Sequence, residues 1–204
     1  MKKLSVLFVG LLLGMATIAQ PVVDNAIIPV AVNLNSILRL NVSSGGNIEF
    51  TVNTLTQYSS GVNAGGASDR YNTDFTVASS VDFDVLLYSE TDALYGIDDP
   101  SRSIALDNVG YSIESTGTGV EGTNYTLEAG GSDPSAVVPL TDNVAHQTVS
   151  SVAGAGAGDI TQNAFRLRWR LGTTEGGMNG ATLLSQSFAP DRYTTNVFLV
   201  LQAQ

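Results

Sequence analysis

Along VAVNLNSILRLNV, residues 30 to 42, apolar side chains fall at every second place: Val30, Val32, Leu34, Leu38, Leu40 and Val42, with Ser36 the one break. Positions 31, 33, 35, 39 and 41 are Ala, Asn, Asn, Arg and Asn, so an extended chain here is oily on one side and wet on the other. A period of two marks a half-buried strand. Taken from Ala26 to Val42, the run predicts a strand of ~56 Å at ~3.3 Å per residue, roughly three times the usual length. A run this long bends, changes sheet or leaves its own domain. Pro29, which lacks an N–H, suits an edge or protruding position.

The same period recurs along most of the chain. After the turn Ser43-Ser44-Gly45-Gly46, Ile48, Phe50 and Val52 alternate within residues 47–54, which predicts a hairpin with the first run. Residues 59–68 read as a surface loop. In DFTVASSVDFDVLLYSE, residues 74–90, the alternation through Phe75, Val77, Val81, Phe83, Val85 and Leu87 gives one bent strand, or two short ones about Ser79 and Ser80. Further strands are predicted at 103–106, at Val109, Tyr111 and Ile113, at Tyr125 and Leu127, at 136–140, at 163–171, at 182–188 and at 193–202. Within the last, VFLVL is apolar on both faces and reads as a central strand. Periodicity fades from 141 to 162, and no amphipathic helix of ten or more residues stands out. About eight to eleven strands joined by Gly, Ser, Asn and Asp loops predict an all-β chain, a single antiparallel β-sandwich of Ig-like type. An eight-stranded outer-membrane β-barrel shares the alternation, but these strands lack aromatic girdles and several are too short to cross a bilayer.

Ahead of the first strand stands MKKLSVLFVGLLLGMATIAQ, with Lys2 and Lys3, an apolar run from Leu4 to Met15, and small residues at Ala16, Thr17 and Ala19. This layout predicts a signal peptide over residues 1–19, cut before Gln20, then an N-terminal extended segment over 20–35 and a β domain over 36–204. The apolar run is too short to span ~30 Å as a helix, and no second stretch of ~18 apolar residues follows, so no membrane span is expected. The expected location is secreted, at an extracellular, bacterial cell surface. The chain has no Cys, which removes lipid anchoring, disulfides, thiolate metal sites and thiol catalysis. Loss of Lys2 and Lys3 leaves only arginine as a cation against 19 acidic residues, in a chain whose net charge is already −10. Phosphate neutralisation needs clustered positive charge, so nucleic acid is not an expected partner, nor are anionic lipid heads. Without lysine the exported chain has no isopeptide, Schiff-base or Ser-x-x-Lys chemistry.

The remaining candidates for chemistry are few. His146 is the only histidine, and no Gly-x-Ser-x-Gly or His-Glu-x-x-His pattern accompanies it, so it reads as a solvated loop residue. Asp82 and Asp84 lie two apart on one strand face, ~6.6 Å by strand rise, within the range of a glycosidase pair. Because Phe83 and Val85 take the inward side, the two acids are expected to face water. GIDDPS places Asp98, Asp99 and Ser101 in a turn with oxygen ligands that suit Ca²⁺, although an Asp-Pro turn accounts for the same residues and the true calcium-loop spacing is absent. GAGAG at 154–158 reads as a flexible or closely packed loop, not a nucleotide site, since no helix follows. Arg166, Arg168 and Arg170 form a comb on one strand face. It suits an acidic glycan or a neighbouring subunit, but cross-strand pairing with Asp or Glu is the favoured reading. No catalytic, cofactor-binding or metal-ligating residue, and no cofactor, is predicted.

In layout, the chain resembles secreted bacterial pilin-type β-sandwich proteins. The resemblance lies in a cleaved signal, an alternating segment NAIIPVAVNLNSILRLNV, a Gly-turn leading into NIEFTV, and a closing strand DRYTTNVFLVLQ. It covers general arrangement and no specific motif, and the missing Cys departs from pilins that carry a disulfide or lipid anchor. The resemblance implies a non-catalytic subunit of a fibre or surface coat. The residues themselves fit β-strand addition, in which Ile28, Val30, Val32 and Leu34 fill pockets in the sheet of the next molecule. At ~1.5–3 kcal/mol for each fully buried side chain, the four contribute ~6–12 kcal/mol before entropy costs, enough for a homo-polymer. The alternatives are a monomeric adhesin that binds glycans or other surface proteins through loop aromatics such as Tyr58, Tyr71 or Tyr95, and a secreted glycan hydrolase.

Overall fold

A computed structural model of the chain describes residues 28–63, 69–128, 136–142 and 145–204. The predicted signal peptide, with residues 20–27 of the extended segment, lies outside them. The chain is all-β. Its strands are β1 (Leu38–Ser44), β2 (Val62–Asn63), β3 (Asn72–Ser79), β4 (Phe83–Ser89), β5 (Ala93–Gly96), β6 (Ser103–Ala105), β7 (Val109–Ser115), β8 (Tyr125–Leu127), β9 (Val138–Pro139), β10 (His146–Ser151), β11 (Ala164–Leu171), β12 (Tyr193–Thr194) and β13 (Val197–Ala203). Two short helices, α1 (Leu55–Ser60) and α2 (Leu183–Gln186), accompany them.

Among the described residues every ladder between these strands is antiparallel. One sheet runs β1-β3-β11-β7-β9 with β2 also on β11, a second runs β13-β4-β10-β8, and a small third runs β12-β5-β6. The period-two residues of both larger sheets meet in one buried cluster. Phe75 and Val77 of β3, Phe165 and Leu167 of β11, and Tyr111 and Ile113 of β7 come from the first sheet. Phe83, Val85 and Leu87 of β4, Tyr125 and Leu127 of β8, and Val149 of β10 come from the second. Phe165 joins the two sets: its ring lies 5.3 Å from Phe75 within its own sheet and meets Tyr125 of the other edge-on at 4.9 Å. Edge-to-face pairs of this kind add to the value of burial, because the positive ring edge meets the negative ring face.

Several expectations change. The long first strand begins only at Leu38, and residues 28–37 carry no strand. The predicted hairpin with 47–54 does not form: β1 pairs with β3, Leu40 opposite Val77, while Ile48, Phe50 and Val52 pack half-buried against the core without a ladder. Phe50 stacks on Tyr71 at 4.7 Å, so its apolar alternation is satisfied by packing alone. The predicted loop at 59–68 instead starts with the end of α1 and the strand β2. Thr54 caps α1 in a capping box with Gln57, and Gly61 ends it at φ 73°, where a Cβ would come within 2.5 Å of the Gly172 backbone. Residues 74–90 resolve into two strands, β3 and β4, in separate sheets. The predicted strand at 182–188 contains α2, because the Thr182 hydroxyl accepts from the Ser185 amide and starts a helical turn. VFLVL is not central: β13 pairs only with β4 and ends its sheet.

Candidate functional site

Four residues of the predicted donor segment lie within the described structure, and all are in water. Ile28, Val30, Val32 and Leu34 are 81, 84, 75 and 90 % exposed, and none belongs to a strand. The chain divides into two units, and the one that holds the sheets starts at Asn35. Ile37 is the first residue fixed to it by backbone bonds, its N–H donating to Ser80 Oγ at 2.8 Å while the Ser80 N–H donates to Ile37 O at 2.9 Å. Large apolar side chains thus lie open at alternate positions of a segment that pairs with no strand.

The arginine comb is paired with acids of its own chain, two of them on neighbouring strands. Arg166 grips Asp74 of β3 through both guanidinium arms, Nε donating at 2.6 Å and Nη2 at 3.1 Å. Arg168 donates to Glu114 of β7 at 2.7 Å, and Arg170, mostly buried, pairs with Glu175. The register explains this, since Arg166 stands opposite Asp74 on one side and Glu114 on the other. Bidentate Arg–carboxylate pairs are the stronger kind of surface ion pair. Arg166 holds the Asp74 carboxyl below the ordinary 3.8 against the opposing effect of burial, with further help from the Ser44 hydroxyl. A carboxyl whose folded value lies below its unfolded one stabilises the fold above the unfolded value, and that stability disappears as pH falls through the folded value. Asp74→Asn should therefore lose stability against wild type at pH ~7 and lose much less at pH ~2, as measured by urea unfolding at both.

The other acidic candidates hold loops. Asp82 accepts the N–H groups of Gly154 and Gly156 at 2.7 and 2.9 Å, which lower its carboxyl below the usual range. That contact explains GAGAG, which is closely packed at Gly156: a Cβ there would come within 2.5 Å of Ser151. An open depression of about 390 Å³ lined by Ser80, Val81, Asp82, Gly154, Ala157 and Gln204 has Asp82 as its one carboxylate, and both of its oxygens are engaged. Asp84 does not face water as expected. It is buried and accepts from Gln204 Nε2 at 2.6 Å, a clasp that sequence reasoning did not find because the partners are 120 residues apart.

In GIDDPS, Asp99 Oδ1 accepts from the Ser101 amide and hydroxyl and its other oxygen faces Arg102 Nε at 3.2 Å, which is turn chemistry. The residue that organises this turn is Asp191, unremarked in the sequence, which accepts from the amides of Asp98 and Asp99. Among the described residues no group of three or more His, Asp or Glu is placed to hold a metal ion. His146 is not a loop residue. It opens β10, and its Nδ1 contacts Glu128 Oε1, while Glu128 Oε2 accepts from the Tyr111 hydroxyl at 2.8 Å. Burial, and next the charge of Glu128, push that hydroxyl well above the ordinary tyrosine range. This chain of three links β7 and β10 to the turn that follows β8.

Of the loop aromatics, Tyr71 is buried under Phe50, and Tyr95 is exposed with its hydroxyl donating to Asp92 at 2.6 Å. β13 also carries open apolar surface, as do single residues such as Leu55, Val120 and Ile160 elsewhere. Phe198 and Val200 are 41 and 36 % exposed on one face, with Tyr88 beside Phe198 at 5.4 Å between ring centres. Leu199 and Leu201 are half-buried on the core face, opposite Leu87 and Val85. No helix among the described residues is long and apolar enough to cross a membrane. No protein-family model matches the chain, and no curated protein does.

Proposed function

We propose that the chain is an exported, non-catalytic structural subunit of an extracellular filament or surface layer. It folds as an antiparallel β-sandwich after loss of its signal peptide and assembles by adding its N-terminal segment as a strand to another copy. The observation that supports this is the exposure of Ile28, Val30, Val32 and Leu34, alternately placed and 75–90 % open to water. Four such side chains are costly in a solitary molecule and gain ~6–12 kcal/mol when covered. The carboxylates of Asp82 and Asp99 serve loops, and the Arg face is internally paired, so neither competes for the role.

The test is sedimentation and negative-stain microscopy of the mature protein beside a variant lacking residues 20–35. The mature protein is expected as high-mass material of regular width, and the shortened one as a folded monomer. A mature protein that stays monomeric at every concentration overturns the proposal, as does a shortened protein that still polymerises.

A further inference from the structure

We infer that the open edge of β13 is the acceptor for the N-terminal segment of a second copy. This rests on the strand-addition reading above and names the strand that receives it.

The argument begins with how sheet edges are protected. A strand at the end of a sheet presents unpaired N–H and C=O groups, and proteins guard such edges by shortness, charge, proline or a bulge. Among the described residues the ends of the three sheets are β1, β9, β13, β8, β12 and β6, and the two-residue β2 has β11 as its one partner. β8 and β6 have three residues each, β12 has two, and β9 has two with Pro139 among them. β1 carries Arg39 and a register shift between Val42 and Ser44. β13 has none of these four guards, and β1, which comes near it in the same chain, makes no ladder with it. It is seven residues long, VFLVLQA, uncharged, and in unbroken register with β4 from Val197 opposite Ser89 to Ala203 opposite Phe83.

The donor fits it in length and pattern. Ile28–Leu34 is also seven residues, also uncharged, with its four large side chains on one face. Laid beside β13 with that face toward the core, it covers Leu199 and Leu201, the half-buried pair left open at this edge. The parity of a strand then decides which backbone groups bond. N–H and C=O of alternate residues point to opposite sides, so a ladder through Ile28, Val30, Val32 and Leu34 turns the missing N–H of Pro29 away from β13. The proline thus leaves the new ladder whole and guards the far side of the added strand.

The full mature chain, free of Cys, allows a direct test. In one variant Leu201→Lys places an ammonium on the core face of the edge, where its stem reaches water only while the edge is free. In another, Val30→Asp and Val32→Asp disable the donor. Each variant alone should need at least a 100-fold higher concentration to assemble, and an equimolar mixture should give one-to-one heterodimers, donor from the first and acceptor from the second. Independently of the lysine, Asn33→Cys chains mixed with Phe198→Cys, Val200→Cys or Gln202→Cys chains should give disulfide-linked dimers on oxidation, whereas mixing with Asn41→Cys chains on β1 should not. Linkage to Asn41→Cys instead, or undiminished polymer from a Leu201→Lys protein with wild-type circular dichroism, overturns β13 as acceptor and leaves strand addition standing. Polymer from the Val30→Asp and Val32→Asp chain overturns the donor reading as well. Disulfides formed only within one chain, in a doubly substituted Asn33→Cys and Val200→Cys protein that remains monomeric, overturn both.

Discussion

Phe165→Ala is expected to destabilise the fold by about 3–5 kcal/mol, the range for removing a fully buried aromatic ring and leaving its cavity. The upper half of that range applies, because the ring has no solvent-exposed edge into which neighbours could relax. Phe165 is fully buried and touches Phe75 in its own sheet and Tyr125 in the other, so its loss opens the seam between them. Tyr125 cannot follow into the space: its hydroxyl donates to Gly119 O at 2.6 Å and is also bonded to Ser115. Such a loss is a large share of a typical domain's ~5–15 kcal/mol. Urea unfolding of Phe165→Ala beside wild type checks it. A loss under ~1 kcal/mol would mean that the seam is not close-packed.

The pair Val30→Asp and Val32→Asp is expected to leave monomer stability within ~0.5 kcal/mol of wild type while raising the critical concentration for assembly by ~10²–10⁴-fold. The two halves of this prediction have different causes. In the monomer the side chains are 84 and 75 % exposed, so replacing them removes little burial. In an assembled sheet each apolar contact contributes ~1.5–3 kcal/mol, and two together give the stated range at ~1.4 kcal/mol per factor of ten. A carboxylate buried without a partner adds to the loss. Urea unfolding of the monomer and sedimentation velocity against concentration measure the two halves separately.

Strand identity was largely legible because it depends on a local period. Phe75 and Val77, and Phe165 to Trp169, alternate in sequence and alternate in burial, while Phe83 to Leu87 and Tyr111 and Ile113 alternate in sequence with buried polar or small neighbours, Asp84, Gly110 and Ser112, beside or between them. β10 was missed because a bulge between Gln147 and Val149 slips its register, and two adjacent buried residues, Thr148 and Val149, hide the period. α2 was misread since Leu183 and Leu184 fit either period over so short a span, and a single Thr182 cap decides the matter. Pairing is what local pattern does not contain. The same VFLVL that reads as a central strand lies at an edge, and β1 skips the neighbouring apolar run to reach β3. For the candidate site, the exposed apolar ladder of 28–34 was visible as a pattern, and the bland fate of the Arg comb followed from acids able to face it. The loop anchors Asp82, Asp191 and Gln204 were not visible, because their partners lie dozens of residues away.

The pair of hydrogen bonds between Ile37 and Ser80 fixes where a pull on the N-terminal segment enters the sheet-bearing unit. A force drawn along β1 then loads that clamp and the β1–β3 ladder lengthwise, so that many backbone bonds share the strain at once instead of opening one by one. If the proposed strand addition joins copies in this way, each link would yield only after the shared ladder gives.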